Sequence, residues 1–174
     1  MRQPRYFLYT LLSVAIGAGA CSSGPTDPAA LEVQSTPSYS LTGSISALLL
    51  QCSPEKAVWK SVDIGPEGGV LWLGQHYLSV PKNALSKKVT ISGEVVSGNF
   101  NSVRFYPEGL KFGSGTKLYM SYKNCSGLGM LLPKKIVYID EGLNLLEILG
   151  TLTLSSDKMV VGDLRHFSRY AVAY

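Results

Sequence analysis

The chain has 174 residues, a length that suits one domain with its own hydrophobic core. Its 18 glycines, 9 prolines and 16% charged residues, with many short apolar runs and no long helical period, favour β architecture over helices. Setting Arg2 and Arg5 aside leaves 14 Lys and Arg against 12 Asp and Glu, a net charge of +2 that is too small to argue for nucleic acid or an acidic ligand.

The first twenty residues have the pattern of an export signal. Arg2 and Arg5 give a basic start, residues 6–16 are mainly apolar, and small residues follow up to Cys21. The apolar run is too short to span a bilayer of about 30 Å as a resident helix. We interpret residues 1–20 as a signal peptide that is removed.

The residues before Cys21 resemble the bacterial lipobox, with Ala18 where that pattern prefers leucine. The resemblance implies a lipoprotein with diacylglycerol on the Cys21 sulfur, cleavage before Cys21 and acylation of the new amine, which would anchor it stably in a membrane. The alternative is an ordinary signal peptide in which Cys21 is incidental. Ser22 follows Cys21 instead of Asp, which permits outer-membrane sorting by analogy with diderm lipoproteins. We therefore expect a location in the bacterial cell envelope, with the domain outside the cytoplasm.

Two segments connect this anchor to the domain. Residues 21–40 contain Pro25, Pro28 and Pro37 with several Ser and Thr, a composition typical of a flexible tether. Such a tether would hold the domain some 20–25 Å from the membrane, on a root-mean-square estimate of about 18 residues. Residues 41–57 are a lead-in segment packed on the domain. Its apolar run suits an extended segment or a short helix, and we favour the extended form.

From residue 58 onward, short apolar strands alternate with turn residues. The strongest turn is residues 65–69, where glycines accept positive φ and Pro66 fixes its own φ. The predicted strands are residues 57–64, 70–73, 76–80, 88–95, 103–106, 116–123, 136–139, 145–154, 158–164 and a last strand within 165–174, with residues 110–112 following the corner at Pro107. About ten short strands at this spacing predict an all-β, antiparallel β-sandwich over residues 58–174.

Three cysteines occur, at positions 21, 52 and 125. If Cys21 carries lipid, Cys52 and Cys125 remain, and an exported two-cysteine domain can form a disulfide that an oxidising compartment preserves. We predict that they pair and fasten the lead-in segment to the sandwich; the alternative is two buried free thiols. A metal site is not expected, because the sequence has no CxxC motif and His76 and His166 are its only histidines.

Five sequence blocks follow one another in the domain: IGPEGG at 64–69, LSVPKNAL at 78–85, YPEGLKF at 106–112, LYMSY at 118–122 and HFS at 166–168. In this order they resemble the ZU-five domain, the β-sandwich of zonula occludens proteins, ankyrins and netrin receptors of the Unc-five type. The resemblance covers residues 58–174 and implies a protein-interaction or assembly module with no cofactor. It does not identify the partner, which we expect to be an envelope or surface protein.

Some relatives in that family cut themselves between the Phe and Ser of His-Phe-Ser. By resemblance, Ser168 Oγ would attack the Phe167 carbonyl with His166 as base or proton shuttle, and water would cleave the resulting ester. The alternative role is structural, with His166 capping a loop, Phe167 buried and Ser168 opening the last strand. Self-cleavage is thus the alternative to a plain interaction module.

Little else in the sequence points to chemistry. It has no nucleophile elbow, Walker loop or zinc-protease helix, and Asp140 and Glu141 are predicted to be solvated in a turn. A secreted enzyme is therefore the least supported class, and no small-molecule substrate is evident. The ten tyrosines could form an exposed aromatic face that binds protein or glycan, but core and edge packing is the use we favour.

Overall fold

The structure, a computed structural model, describes residues 45–174 as an all-β antiparallel sandwich, which confirms the predicted fold class. The predicted signal peptide, the Cys21 lipobox and the tether lie outside the described residues. The strands are β1 (Val58–Ile64), β2 (Gly69–Leu73), β3 (His76–Val80), β4 (Val89–Val96), β5 (Ser102–Tyr106), β6 (Lys117–Ser121), β7 (Lys135–Ile139), β8 (Leu145–Ile148), β9 (Thr151–Leu154), β10 (Met159–Asp163) and β11 (Arg169–Ala173). Within this part of the chain, no helix is long and apolar enough to cross a membrane.

The strands form two sheets that share one core. The six-stranded sheet has the order β1-β4-β5-β11-β7-β8, and the five-stranded sheet has the order β2-β3-β6-β10-β9. Alternating apolar residues of each strand point into this core. The six-stranded sheet also buries part of its other face, where Val137, Ile139, Ala171 and Ala173 pack with Leu49 of the lead-in segment. The shared core contains Leu71, Leu73, Leu78, Leu118, Met120 and Val160 from the five-stranded sheet, and Ile91, Val103, Phe105, Ile136, Tyr170 and Val172 from the six-stranded sheet.

The turn at residues 65–68 carries the chain from one sheet to the other, because β1 and β2 belong to different sheets. Gly68 has φ +79°, and a Cβ there would lie 2.6 Å from the carbonyl oxygen of Val80. Only glycine therefore fits both the backbone conformation and the close approach of β3. A hydrogen bond of 2.8 Å from the Asn83 N–H to the Pro66 carbonyl closes this corner.

The strand registers gather the loops at two opposite ends of the sandwich. The lead-in end contains residues 45–56, 122–134 and 155–158. The corner end contains residues 65–68, 107–115, 140–144 and 164–168. This separation matters for function, because the point where the chain enters the domain and the His166-Phe167-Ser168 sequence lie at opposite ends.

The lead-in segment combines the two conformations that the sequence left open. A 3-10 helix covers Ile45–Leu48, and isolated antiparallel bridges follow from Leu49 to Ala173 and from Gln51 to Phe100. Leu50 is fully buried in the core. The described part of the segment is therefore integrated into the sandwich.

The prediction of one strand over residues 145–154 is wrong. The structure splits it into β8, in the six-stranded sheet, and β9, in the five-stranded sheet. Leu149 is buried between them, and its N–H bonds the Ile136 carbonyl at 3.0 Å, whereas the Gly150 carbonyl accepts from Asp163 in the other sheet at 3.2 Å. The chain thus passes from the six-stranded sheet to the five-stranded sheet within two residues, Leu149 and Gly150.

Residues 110–112, which follow the corner at Pro107, form no regular strand. Lys111 makes only an isolated bridge, to His166. Phe112 packs its ring on the edge of the Phe167 ring, with 4.7 Å between centroids. The segment therefore crosses the corner end as a packed loop.

Candidate functional site

A row of side chains crosses the outer face of the whole five-stranded sheet; it is exposed at its two ends, half-buried at its two tyrosines and buried at Val161. We call it the aromatic row; each strand contributes one in-register residue to it, in the order Trp72, Tyr77, Tyr119, Val161 and Leu152. Their neighbours along each strand point into the core, so the row lies on the outer face. Strand pairing alone creates this row, since no two of its residues come from the same strand.

The three rings of the aromatic row pack against one another. The Trp72 and Tyr77 centroids are 4.5 Å apart, and the Tyr77 and Tyr119 rings stack at 4.2 Å with 11° between their planes. Burial, with smaller contributions from Tyr119 and Asp157, raises the pKa of Tyr77, so its hydroxyl is neutral at physiological pH. The two ends of the row remain open, with Trp72 60% and Leu152 64% exposed.

Beside the aromatic row, an ion pair adds a polar margin. Lys117 Nζ lies 2.7 Å from the Asp163 carboxylate, and this hydrogen bond raises the pKa of Lys117. The pair and the row line a shallow cleft of about 460 Å³, next to Tyr119 and Leu152. Exposed apolar area with a charged margin has the composition of protein-interaction surfaces.

The outer face of the six-stranded sheet is different in character. Glu141, in the turn after β7, pairs with Arg104 and lies 3.3 Å from Arg169, and Arg104 also lies 3.7 Å from Glu94. Glu141 therefore binds two arginines, which the sequence did not predict, although its own side chain is exposed as expected. This face thus carries a charged network beside the apolar cluster covered by Leu49, and its exposed Trp59 makes a natural comparison for the aromatic row.

The sequence left two roles open for the tyrosines, packing in the core or a place on an outer aromatic face, and both occur in the structure. Tyr170 and Tyr122 are buried in the core, whereas Tyr77 and Tyr119 belong to the aromatic row. Burial raises the pKa of Tyr170, whose hydroxyl donates to the His166 carbonyl at 2.7 Å.

The His166 ring makes its side-chain contacts with residues other than Ser168. Its Nδ1 lies 3.4 Å from the Tyr170 hydroxyl, its Nε2 lies 3.6 Å from the Glu147 carboxylate, and its ring packs edge-on against Tyr138. None of the hydrogen bonds found among residues 45–174 joins His166 to the Ser168 hydroxyl. The candidate base is held by other partners.

The peptide bond between Phe167 and Ser168 is held in a regular backbone network. Phe167 is 1% exposed, its N–H donates to the Leu110 carbonyl at 2.9 Å, and its carbonyl accepts from the Gly109 N–H at 3.0 Å. The Ser168 carbonyl accepts from the Phe105 N–H at 3.1 Å. These contacts match the structural role of the motif.

Cys52 and Cys125 lie opposite each other in an isolated antiparallel bridge, with their sulfurs 2.05 Å apart. The pair joins the lead-in segment to the loop after β6. Asn101 and Asn124 support the same junction, because their amides bond each other and Asn101 also donates to the Ser121 carbonyl at 2.8 Å. The sequence predicted the pairing of the cysteines and missed the two asparagines.

A buried polar contact at the lead-in end was also not predicted from the sequence. His76 is fully buried at the start of β3, and its Nε2 lies 2.8 Å from the carboxylate of Glu55. His76 Nδ1 accepts from the Ser121 N–H at 3.0 Å, and Gln75 also donates to Glu55. The available signal was a histidine inside an apolar strand, where a polar ring needs partners.

The comparisons with known proteins place no further constraint on this site. No protein-family model matches the chain, and no curated protein matches it either. Across residues 45–174, no group of three or more His, Cys, Asp or Glu side chains could hold a metal ion. The functional argument therefore depends on the geometry of the two sheet faces.

Proposed function

We propose that the protein is a lipid-anchored component of the bacterial cell envelope whose sandwich binds another protein through the aromatic row. The observation that carries the proposal is the continuous in-register row from Trp72 to Leu152, one side chain from each strand of the sheet, with large exposed apolar side chains at both of its ends. Large aromatic side chains are enriched at the centres of protein interfaces, where they contribute much of the binding energy. A structural role alone does not require apolar side chains on an outer face.

The ring geometry favours a protein partner over a glycan. A sugar ring stacks on an open aromatic face, but Tyr77 and Tyr119 stack face to face on each other, and Trp72 is tilted against Tyr77. The stacked faces of Tyr77 and Tyr119 are thus not free for a sugar, and the exposed Trp72 and Leu152 at the two ends suit apolar side chains of a protein.

The proposed anchor is supported by the sequence before the domain. Arg2 and Arg5, the apolar run and the lipobox-like residues before Cys21 have the order of a lipoprotein signal. The sulfurs of Cys52 and Cys125 at disulfide distance fit a domain that resides in an oxidising compartment. We propose an outer-membrane location because Ser22 follows Cys21.

The ZU-five resemblance is part of the same proposal. An antiparallel sandwich is the fold that the resemblance implies, and turns at residues 65–69 and 107–109 lie at the corner end. The family acts mainly in protein interaction, which agrees with a non-enzymatic role. The sandwich alone does not distinguish this family from others, because many functions share such folds.

Two variants test the two parts of the proposal separately. Cys21→Ser should remove acyl labelling and shift the protein out of the membrane fraction; unchanged labelling and fractionation would refute the anchor. Trp72→Ala combined with Leu152→Asp should lower by at least tenfold the recovery of a partner that co-purifies from the native envelope. The matched control is Trp59→Ala, because Trp59 is 57% exposed on the other sheet. Equal recovery with all three chains would refute the binding surface.

A further inference from the structure

A turn at the lead-in end presents leucines to solvent. The 3-10 helix Leu128–Leu131 places Leu128 at 86% exposure and Leu131 at 85%, and Leu132 after it is 49% exposed. We call these three residues the leucine turn. Side chains of this size are rarely so exposed together, and such patches mark contacts with proteins or membranes.

The leucine turn is held in a fixed conformation. Lys134 is 4% exposed, and its ammonium donates to the carbonyls of Gly129 at 2.8 Å, Met130 at 3.1 Å and Leu132. Gly129 faces inward, where a Cβ would lie 2.6 Å from the Tyr174 ring. The backbone is thus anchored to the domain while the leucines point away from it.

The surroundings of the turn are basic. Residues 122–135 contain no carboxylate, and apart from the buried Lys134 they carry the exposed Lys123 and Lys135. Lys158 lines the same depression as Leu131 and Leu132, and Asp157 is the acidic residue beside it. Apolar side chains next to lysines are the combination that binds the interface of an anionic membrane.

The chain enters the domain next to this turn. The Tyr174 ring that packs on Gly129 donates its hydroxyl to the Ala47 carbonyl at 2.8 Å, and the Tyr174 N–H bonds the Leu48 carbonyl at 3.2 Å. Leu48 is itself 47% exposed. The described part of the chain therefore begins on the side that presents the leucine turn, and Cys21 precedes it in the sequence.

We propose that the leucine turn inserts into the interface of the membrane to which Cys21 is anchored, so that the lead-in end faces the lipid and the domain does not stay at the distance of about 20–25 Å that the flexible tether alone would give. This inference rests on the lipid anchor in the proposed function. A bilayer is the occupant that the geometry favours, because the start of the described chain, the leucines and the lysines share one side. The aromatic row then runs along the side of the docked domain, open to a partner in the same membrane or above it.

The test uses the acylated full chain in vesicles of phosphatidylcholine with about one third phosphatidylglycerol. Leu128→Cys supplies a labelling site for an environment-sensitive fluorophore, since Cys52 and Cys125 are bonded and Cys21 is acylated. Lipids that carry a nitroxide on the acyl chain should quench this label by at least half. A label at Val70→Cys, near the corner end, should keep its intensity.

Two further variants test the contribution of the leucines. Leu131→Asp in the labelled chain should abolish most of the quenching, whereas Leu152→Asp, on the aromatic row, should leave it unchanged. A chain that floats with the vesicles but shows no quenching at position 128 refutes the insertion and leaves the anchor intact. A blue shift without quenching also refutes it, because the turn is then buried against a second copy. A chain that does not float refutes the anchor itself.

Discussion

His76 donates a hydrogen bond of 2.8 Å from Nε2 to the carboxylate of Glu55, and its other ring nitrogen accepts from the Ser121 N–H. The backbone N–H fixes the tautomer, because Nδ1 must be unprotonated to accept. Glu55 precedes β1, His76 begins β3 and Ser121 ends β6, so one buried ring joins the lead-in segment to the five-stranded sheet.

We predict that Glu55→Gln destabilises the domain in a pH-dependent way. Burial of Glu55 opposes its ionisation, but the hydrogen bonds from His76 and Gln75 outweigh burial and lower its pKa. A lowered folded-state pKa stabilises the fold above the unfolded pKa, and this contribution is lost as the pH falls through the folded value. The variant should lose about 1–3 kcal/mol at pH 7, and the difference should shrink between about pH 5 and pH 3.

Denaturant midpoints at several pH values measure this difference. The control is Glu108→Gln, because Glu108 is an exposed carboxylate at the corner end. A loss of stability that is the same at pH 3 and pH 7 would show that ionised Glu55 makes no special contribution.

The paired cysteines give a prediction for stability. They are 73 residues apart in sequence, and on the chain-entropy model a loop of that length contributes about 4 kcal/mol. The double variant Cys52→Ser with Cys125→Ser should therefore have a clearly lower melting temperature than the oxidised protein. Reductant should lower the melting temperature of the original chain and leave the double variant unchanged. A non-reducing peptide map without a Cys52–Cys125 link would contradict the pairing.

Lys134 should control the mobility of the leucine turn. Burial lowers the pKa of Lys134, yet its ammonium satisfies three carbonyls of the turn. Lys134→Met removes these bonds, and each charged hydrogen bond contributes about 1.5–3 kcal/mol. Amide hydrogen exchange at Met130 and Leu132 should then accelerate by at least tenfold. Lys135→Met, at the exposed neighbouring position, is the control, and equal exchange in both variants would contradict the role of Lys134.

We predict that the bond between Phe167 and Ser168 stays intact. Phe167 uses its N–H and its carbonyl in backbone hydrogen bonds, and His166 is held by Tyr170 and Glu147. Mass spectrometry of the purified, denatured chain should show one intact species. Release of residues 168–174, abolished by Ser168→Ala, would establish self-cleavage instead.

The sequence predicts the fold well where a local signal exists. The glycines and Pro66 at residues 65–69 mark a corner, and strict alternation in β4 and β6 identifies the buried faces. It fails at residues 145–154, because the apolar run does not reveal that Leu149 is buried between two sheets.

The aromatic row and the buried contact between His76 and Glu55 were less predictable from the sequence than the fold, for a physical reason. The members of the aromatic row are 5 to 42 residues apart between neighbours in the row, and only the strand order brings them together. The contact between His76 and Glu55 depends in the same way on the path of the lead-in segment. Both features come from pairings between distant parts of the chain, which local residue patterns do not encode.

Site-specific photo-crosslinking in the native envelope tests the proposed binding surface most directly. A photoreactive amino acid at position 72 on the aromatic row is compared with one at position 59 on the six-stranded sheet. These positions hold tryptophans of nearly equal exposure, 60% and 57%. We expect a discrete protein adduct from position 72 that is absent from position 59 and is lost with Leu152→Asp. No adduct from position 72, or the same adduct from both positions, would contradict a partner-binding role for the aromatic row.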